Sequence, residues 1–235
     1  MKATKRKPKI ERKRILIVDD HPMMREGLSQ VIAQEPDLEI CGEAGSAPEA
    51  IEKVIALQPH LVVTDITLPG RNGLELTKDI VATVPDTLIL VLSMHDESLY
   101  GERVLRAGAR GYVMKQEGGK RIMEAIRRVL AGHIAVSDTL SAKLLEIFST
   151  PRSPHSVVPV EKLTDREFEV FQLIGRGMET KAIASEMSLS PKTVEVHRTN
   201  IKTKLKISSL SELIRYAVRW EEAHIEAEPQ RGKRE

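Results

Sequence analysis

The chain has 235 residues with a formal net charge of +2, 41% apolar and 30% charged side chains, which suffices for a buried core and excludes a disordered polyelectrolyte. With roughly 100 to 200 residues per domain, two ordinary domains account for this length. Aromatics at 3% exclude an RNA platform of stacked rings. The single cysteine, Cys41, excludes an intramolecular disulfide and a cysteine-based zinc site and suits a reducing compartment.

Apolar runs such as Leu88 to Leu92 span five residues, against about 18 for a membrane span. The basic start is followed only by Ile15 to Val18 before two aspartates, so it does not read as a signal peptide. A cytoplasmic protein without a membrane partner is expected. Charge is unevenly spread: residues 1–14 carry eight basic groups against Glu11, residues 15–140 carry 12 basic and 19 acidic, and residues 160–220 carry 11 basic and 8 acidic. Positive charge collects again at Lys192 to Lys206, as in a segment that meets a polyanion.

In chain order, a basic tail covers residues 1–14, followed by alternating short apolar runs and helical stretches. The predicted strands are Ile15 to Val18, Leu38 to Ala44, Leu61 to Thr64, Leu88 to Leu92 and Gly111 to Met114. Continuous Val, Ile and Leu runs of this length suit parallel strands buried on both faces. Helices are predicted at about 22–34, from a Ser46 capping box onward, and at about 73–83, 97–107 and 119–131. Five β/α units imply a doubly wound, flavodoxin-like (βα)5 domain over residues 15–133. A linker over 134–159 follows, ending in a Pro/Ser-rich stretch; the helical segment near 137–148 belongs either to it or to the first domain.

From residue 160 to 222 the pattern is a small all-α domain of four helices. Thr164 to Glu167 is a capping box, Thr180 is a candidate cap for the second helix, and Ser190-Pro191 is an N-cap with proline at the first helical position. A short helix, a tight turn and a basic helix form a helix-turn-helix pattern. Residues 223–235 read as a disordered tail.

Asp19 and Asp20 follow the first strand, and Asp65 ends the third. In the strand order 2-1-3-4-5 these positions meet at the topological switch point, where ligands bind. Three clustered carboxylates repel by several kcal/mol unless a cation intervenes, and an all-oxygen site suits Mg²⁺. Ser93 and Lys115, at the ends of the fourth and fifth strands, offer a hydroxyl and an ammonium to phosphoryl oxygens. The set describes a carboxylate that accepts phosphate, with Asp65 as nucleophile because the Thr67-Leu68-Pro69-Gly70 loop follows it.

Ile17-Val18-Asp19-Asp20-His21-Pro22, Asp65 to Gly73, Leu92-Ser93-Met94-His95 and Gly111-Tyr112-Val113-Met114-Lys115 make residues 15–131 resemble the receiver domain of two-component response regulators. The resemblance implies that Asp65 is phosphorylated by a sensor histidine kinase. It implies that Asp20, Asp65 and the backbone carbonyl of Thr67 bind Mg²⁺ directly, with Asp19 acting through water. Ser93 and Tyr112 match the switch pair: phosphorylation would draw the Ser93 hydroxyl to the phosphate and let the Tyr112 ring turn into the space vacated. Thr67 departs from the Met common in relatives.

On the basic helix, Val194, Ile201 and Leu205 are expected to face inward, leaving Glu195, Val196, Arg198, Thr199, Lys202 and Thr203 outward as a major-groove surface. This segment, with Lys181, Lys192, Thr193, His197 and Lys204 also in the DNA-contact set, resembles the LuxR-type helix-turn-helix. The whole chain resembles the NarL/FixJ class, which implies double-stranded DNA as target and a homodimer when phosphorylated, with Leu213, Ile214, Ala217 and Val218 as candidate dimer contacts. Within this set Thr180 and Ala182 replace the usual Asn and Glu. Two other readings are a DNA-binding regulator whose receiver works without phosphorylation, and an aspartyl-phosphate phosphatase. The second normally needs an acid two residues after the nucleophile, where this chain has Thr67.

Overall fold

The computed structural model describes residues 12–149 and 159–225, divided into two compact units with the boundary between residues 150 and 151. The basic stretch through residue 11, the Pro/Ser-rich stretch 150–158 and the tail from 226 lie outside the described residues.

The first unit alternates β1 (Lys13–Val18), α1 (Pro22–Ala33), β2 (Leu38–Ala44), α2 (Ala47–Leu57), β3 (Leu61–Asp65), α3 (Gly73–Thr83), β4 (Leu88–Ser93), α4 (Glu97–Arg106), β5 (Gly111–Met114) and α5 (Gly118–Leu130). The strands form one sheet in the order β2-β1-β3-β4-β5, all parallel, so the expected doubly wound fold is present. Strand alternation divides the core. Ile15, Ile17, Leu61, Val63, Leu90, Leu92 and Val113 pack with Leu28 and Ile32 of α1 and Ile122, Ile126 and Val129 of α5. Leu16, Val62, Ile89 and Val91 are equally buried on the other face, where α2 packs on β1 and α4 on β5.

The sheet departs from regularity at two places. Along β1 and β2, Ile15 pairs with Ile40 but Leu16 pairs with Gly42, so Cys41 is an extra residue, a β-bulge. Its thiol faces the Ile15 carbonyl at 3.4 Å. Beyond β5 the chain returns along the sheet edge: Tyr112 N–H donates to Ala135 O at 2.9 Å, and Ala135 N–H donates to Arg110 O at 2.9 Å.

That return delivers α6 (Asp138–Ser149) onto α4. Ser137 N–H donates to Glu97 Oε1 at 3.0 Å, and Lys143 reaches the Ser98 carbonyl at 3.4 Å. Leu140 is buried in the notch left by Gly101, where any Cβ would lie 2.3 Å from Leu140 Cδ2. Of the two places the sequence allows for this helical stretch, the structure shows packing on the first unit. The missing side chain at Gly101 makes room for it.

The second unit is α7 (Asp165–Gly175), α8 (Thr180–Glu186), α9 (Pro191–Leu205) and α10 (Leu210–Ile225). Thr164 and Glu167 form the expected capping box at α7, and Ser190 caps α9 through Thr193 N–H. Phe168 and Phe171 of α7 meet Trp220 edge-on, each with centroids 5.5 Å apart. Thr180 is the first residue of α8 rather than its cap, a position taken by Glu179. Among the described residues no helix is long and apolar enough to cross a membrane.

Candidate functional site

The strand order brings the ends of β1, β3, β4 and β5 together at one edge of the sheet. Asp19, 1% exposed, follows β1 and Asp65, 4% exposed, ends β3. Lys115 Nζ, following β5, donates to Asp19 Oδ2 at 2.6 Å and to Asp65 Oδ2 at 2.7 Å. Burial raises the Asp65 pKa above the ordinary carboxylate range against the opposing pull of Lys115. For Lys115, burial alone would lower the pKa, but Asp65 and Asp19 outweigh it and hold the ammonium firmly protonated. Ligand atoms of Asp19, Asp20, His21 and Asp65 all lie within 4.8 Å of one another. This is an acidic pocket with one lysine as internal counter-cation.

Local sequence explains the placement. His21 N–H donates to Asp19 Oδ1 at 2.9 Å, and Pro22 opens α1 immediately afterwards, so the Asp-Asp pair stays in the turn between strand and helix. Thr67 N–H donates to Asp65 Oδ1 at 3.2 Å. Gly73, first residue of α3, is there because a Cβ would lie 2.1 Å from the Asp65 carbonyl oxygen. The helix therefore begins hard against the strand that carries the candidate nucleophile.

Ser93 ends β4, fully buried, and its hydroxyl accepts from His95 N–H at 3.0 Å. Tyr112 is 1% exposed, its pKa pushed up by burial. The sequence reading has this ring turning inward on phosphorylation; here it already lies inside. It is held there because its hydroxyl donates to the His95 carbonyl at 2.7 Å, which satisfies the one polar atom that burial would otherwise strand. The His95 ring stands 3.3 Å from Thr67 Oγ1 across the site and 5.0 Å from the Tyr100 ring.

In the second unit, α9 presents Lys192, Glu195, Val196, Thr199 and Thr203 to solvent, with Thr193, His197, Lys202 and Lys204 partly exposed. Lys181 is exposed on α8. Lys204 donates to the buried Glu167 carboxylate at 2.6 Å. Glu195 accepts from Thr180 Oγ1 at 2.7 Å, so the Thr that replaces Asn ties α8 to α9.

Family profiles match both halves: the response regulator receiver domain over residues 15–127, and the luxR family of bacterial regulatory proteins over residues 161–217. Oxygen regulatory protein NreC of Staphylococcus carnosus is 36% identical over 210 residues, covering 88% of this chain and 97% of that one. The chain belongs to the response regulators. NreC of Staphylococcus epidermidis is likewise 36% identical, over 211 residues. A LuxR-family two-component response regulator from an Aurantimonas species matches with a TM-score of 0.55 at 35% identity, covering 59% of this chain and 99% of that one. RcsB of Salmonella typhimurium has the same fold, with a TM-score of 0.62 at 24% identity over 89% of this chain and 98% of that one. The regulator thus joins a receiver to a LuxR-type DNA-binding domain, an architecture of transcription regulators rather than of phosphatases.

One sequence expectation in the DNA-binding domain is overturned. Arg198 was placed outward; its residue is 6% exposed, on the same stripe as Val194 and Ile201. Positions 194, 198, 201 and 205 follow the helical repeat, so Arg198 lies on the buried face whatever its charge, with its guanidinium 3.4 Å from Glu195 Oε1. Sequence reasoning also missed Arg25 as a neighbour of the receiver pocket. Its Nη1 donates to the Asp19 carbonyl at 2.6 Å, a side chain to backbone contact with no sequence signature.

Proposed function

We propose that the regulator accepts a phosphoryl group on Asp65 from a sensor histidine kinase and thereby controls binding of its helix-turn-helix to double-stranded DNA as a homodimer in the cytoplasm. The observation that carries this is the double contact of Lys115 with Asp19 and Asp65 at the carboxyl edge of the sheet. An ammonium fixed there stands ready for phosphoryl oxygens, and Ser93 ends the neighbouring strand. As the P–N bond of a phosphohistidine breaks, an Asp65 oxygen forms the new P–O bond, and the departing imidazole takes up a proton.

Asp19, Asp20 and Asp65 fit Mg²⁺ because they are hard oxygen donors grouped around one point, and the Thr67 carbonyl would complete the set. Such an ion neutralises charge on the phosphoryl oxygens. The exposed and partly exposed side chains of α9, with Lys181, supply the DNA contacts; Arg198 supports them from beneath.

The test is intact mass after incubation with acetyl phosphate and Mg²⁺. A phosphate adduct is expected on wild type and none on Asp65→Asn; no adduct on either protein, with acetyl phosphate or with a cognate kinase, overturns the reading. The inward Tyr112 favours a second reading, in which the receiver works without phosphorylation. Promoter binding by Asp65→Asn as tight as that of phosphorylated wild type would select it.

A further inference from the structure

Asp19 is held at every polar atom. Its N–H donates to the Ala44 carbonyl at 3.0 Å, one carboxylate oxygen accepts from His21 N–H at 2.9 Å, and the other accepts from Lys115 at 2.6 Å. The remaining group is the Asp19 carbonyl, part of the peptide that joins it to Asp20. That oxygen accepts from Arg25 Nη1 at 2.6 Å. Arg25 is itself aimed from β2: its Nε donates to Glu43 Oε2 at 3.3 Å, while Ser29 of α1 donates to Glu43 Oε1 at 2.8 Å. Lys53 of α2 binds the Glu43 carbonyl and fixes the strand end from the other face.

We infer that Arg25 is a positioning residue for the divalent-cation site: with Glu43 as its anchor, it fixes the Asp19-Asp20 peptide and so sets where the Asp20 carboxylate points. Among the described residues Asp20 has no comparable anchor. Its side chain is 29% exposed, against 2% for Asp19, and it is approached by His21 Nδ1 at 2.7 Å. A guanidinium suits the task because its rigid fork serves the carbonyl and Glu43 together, which one ammonium cannot do. This inference rests on the proposed Mg²⁺ site.

The sign of the effect separates positioning from charge. Arg25 is a cation beside a cation site, so if it acted only through space, removing it would tighten Mg²⁺ binding. If it merely stabilised α1, removal would lower the melting temperature and leave Mg²⁺ affinity alone. As a positioning residue, its removal weakens Mg²⁺ binding.

The experiment is calorimetric titration of the full-length protein with MgCl2, with thermal melts alongside, for wild type, Arg25→Met, Arg25→Lys and Glu43→Gln. The expected result is Mg²⁺ affinity about tenfold weaker in Arg25→Met, with smaller losses in Arg25→Lys and Glu43→Gln. Glu43→Gln keeps the side-chain shape and decides the matter should Arg25→Met fail to fold. Mg²⁺ bound by the folded variants as tightly as by wild type, or more tightly, overturns the inference while leaving the phosphorylation site standing. No Mg²⁺ binding by wild type overturns both the cation site and the role given to Arg25.

Discussion

Tyr112 on β5 donates its phenolic hydrogen to the backbone carbonyl of His95, 2.7 Å away in the β4–α4 loop. His95 also contacts Ser93, its N–H donating to Ser93 Oγ. The loop between Ser93 and α4 is thus pinned by both Ser93 and Tyr112. Tyr112→Phe keeps the ring and removes one buried hydrogen bond, so the receiver should lose about 1 kcal/mol of unfolding free energy. Urea titration checks this, and faster amide exchange at residues 94–98 should accompany it.

Asp65→Asn should raise the thermal stability of the receiver at pH 7 in metal-free buffer. Burial raises the Asp65 pKa, so folding disfavours its ionised form. Stability on this account is greatest below the unfolded value of 3.8 and falls as pH rises through the higher folded value. Asparagine has no charge to desolvate. The advantage of Asp65→Asn over wild type should therefore shrink as pH is lowered toward 4, which a series of melts across pH measures; an advantage that grows on acidification would contradict it.

Gly101→Ala should dislodge α6. The added methyl meets Leu140 Cδ2 at 2.3 Å, and overpacking of this kind costs about 1 to 3 kcal/mol. Hydrogen exchange should accelerate at residues 137–146 while the β3 and β4 amides stay protected. Leu140→Ala, which opens space instead of closing it, should free the same segment.

Two substitutions on α9 should behave differently. Arg198→Ala removes a buried stem packed with Val194 and Ile201, so it should lower the unfolding midpoint of the DNA-binding domain, followed through the fluorescence of Trp220, the one tryptophan in the chain. Lys202→Ala should leave that midpoint in place, weaken binding across DNA sequences and reduce the salt dependence by about one counterion. Equal DNA affinity of Lys202→Ala and wild type across salt would remove Lys202 from the interface.

The alternation of short apolar runs and amphipathic stretches was enough to read the sheet and its order, because burial on both faces leaves a continuous hydrophobic signal. The acidic pocket was legible for the same reason: Asp19, Asp65, Ser93 and Lys115 sit where strands end. Arg198 was misread because charge outweighed periodicity in the reading, although its spacing from Val194 and Ile201 is that of the buried stripe. Arg25, the His95 carbonyl and the Gly101 notch were illegible. Each acts through a backbone oxygen or an absent side chain, neither of which leaves a pattern in the order of residues.

The bulge at Cys41 in β2 decides which helix Glu43 addresses. Ile40 faces the α1–α5 side of the sheet, and strict alternation would send Gly42 to that side as well and Glu43 to the opposite one. Instead a Cβ on Gly42 would meet Leu57 of α2, and Glu43 meets Arg25 and Ser29 of α1. Counting parity along the strand, Cys41 is the half-step that turns the Glu43 carboxylate toward α1. A strand that kept Cys41 in regular register would aim Glu43 at α2 and leave Arg25 without its anchor. Deleting Cys41 would instead preserve the pairing of Gly42 with Leu16 and of Glu43 with Ile17, and so keep Glu43 on the α1 side.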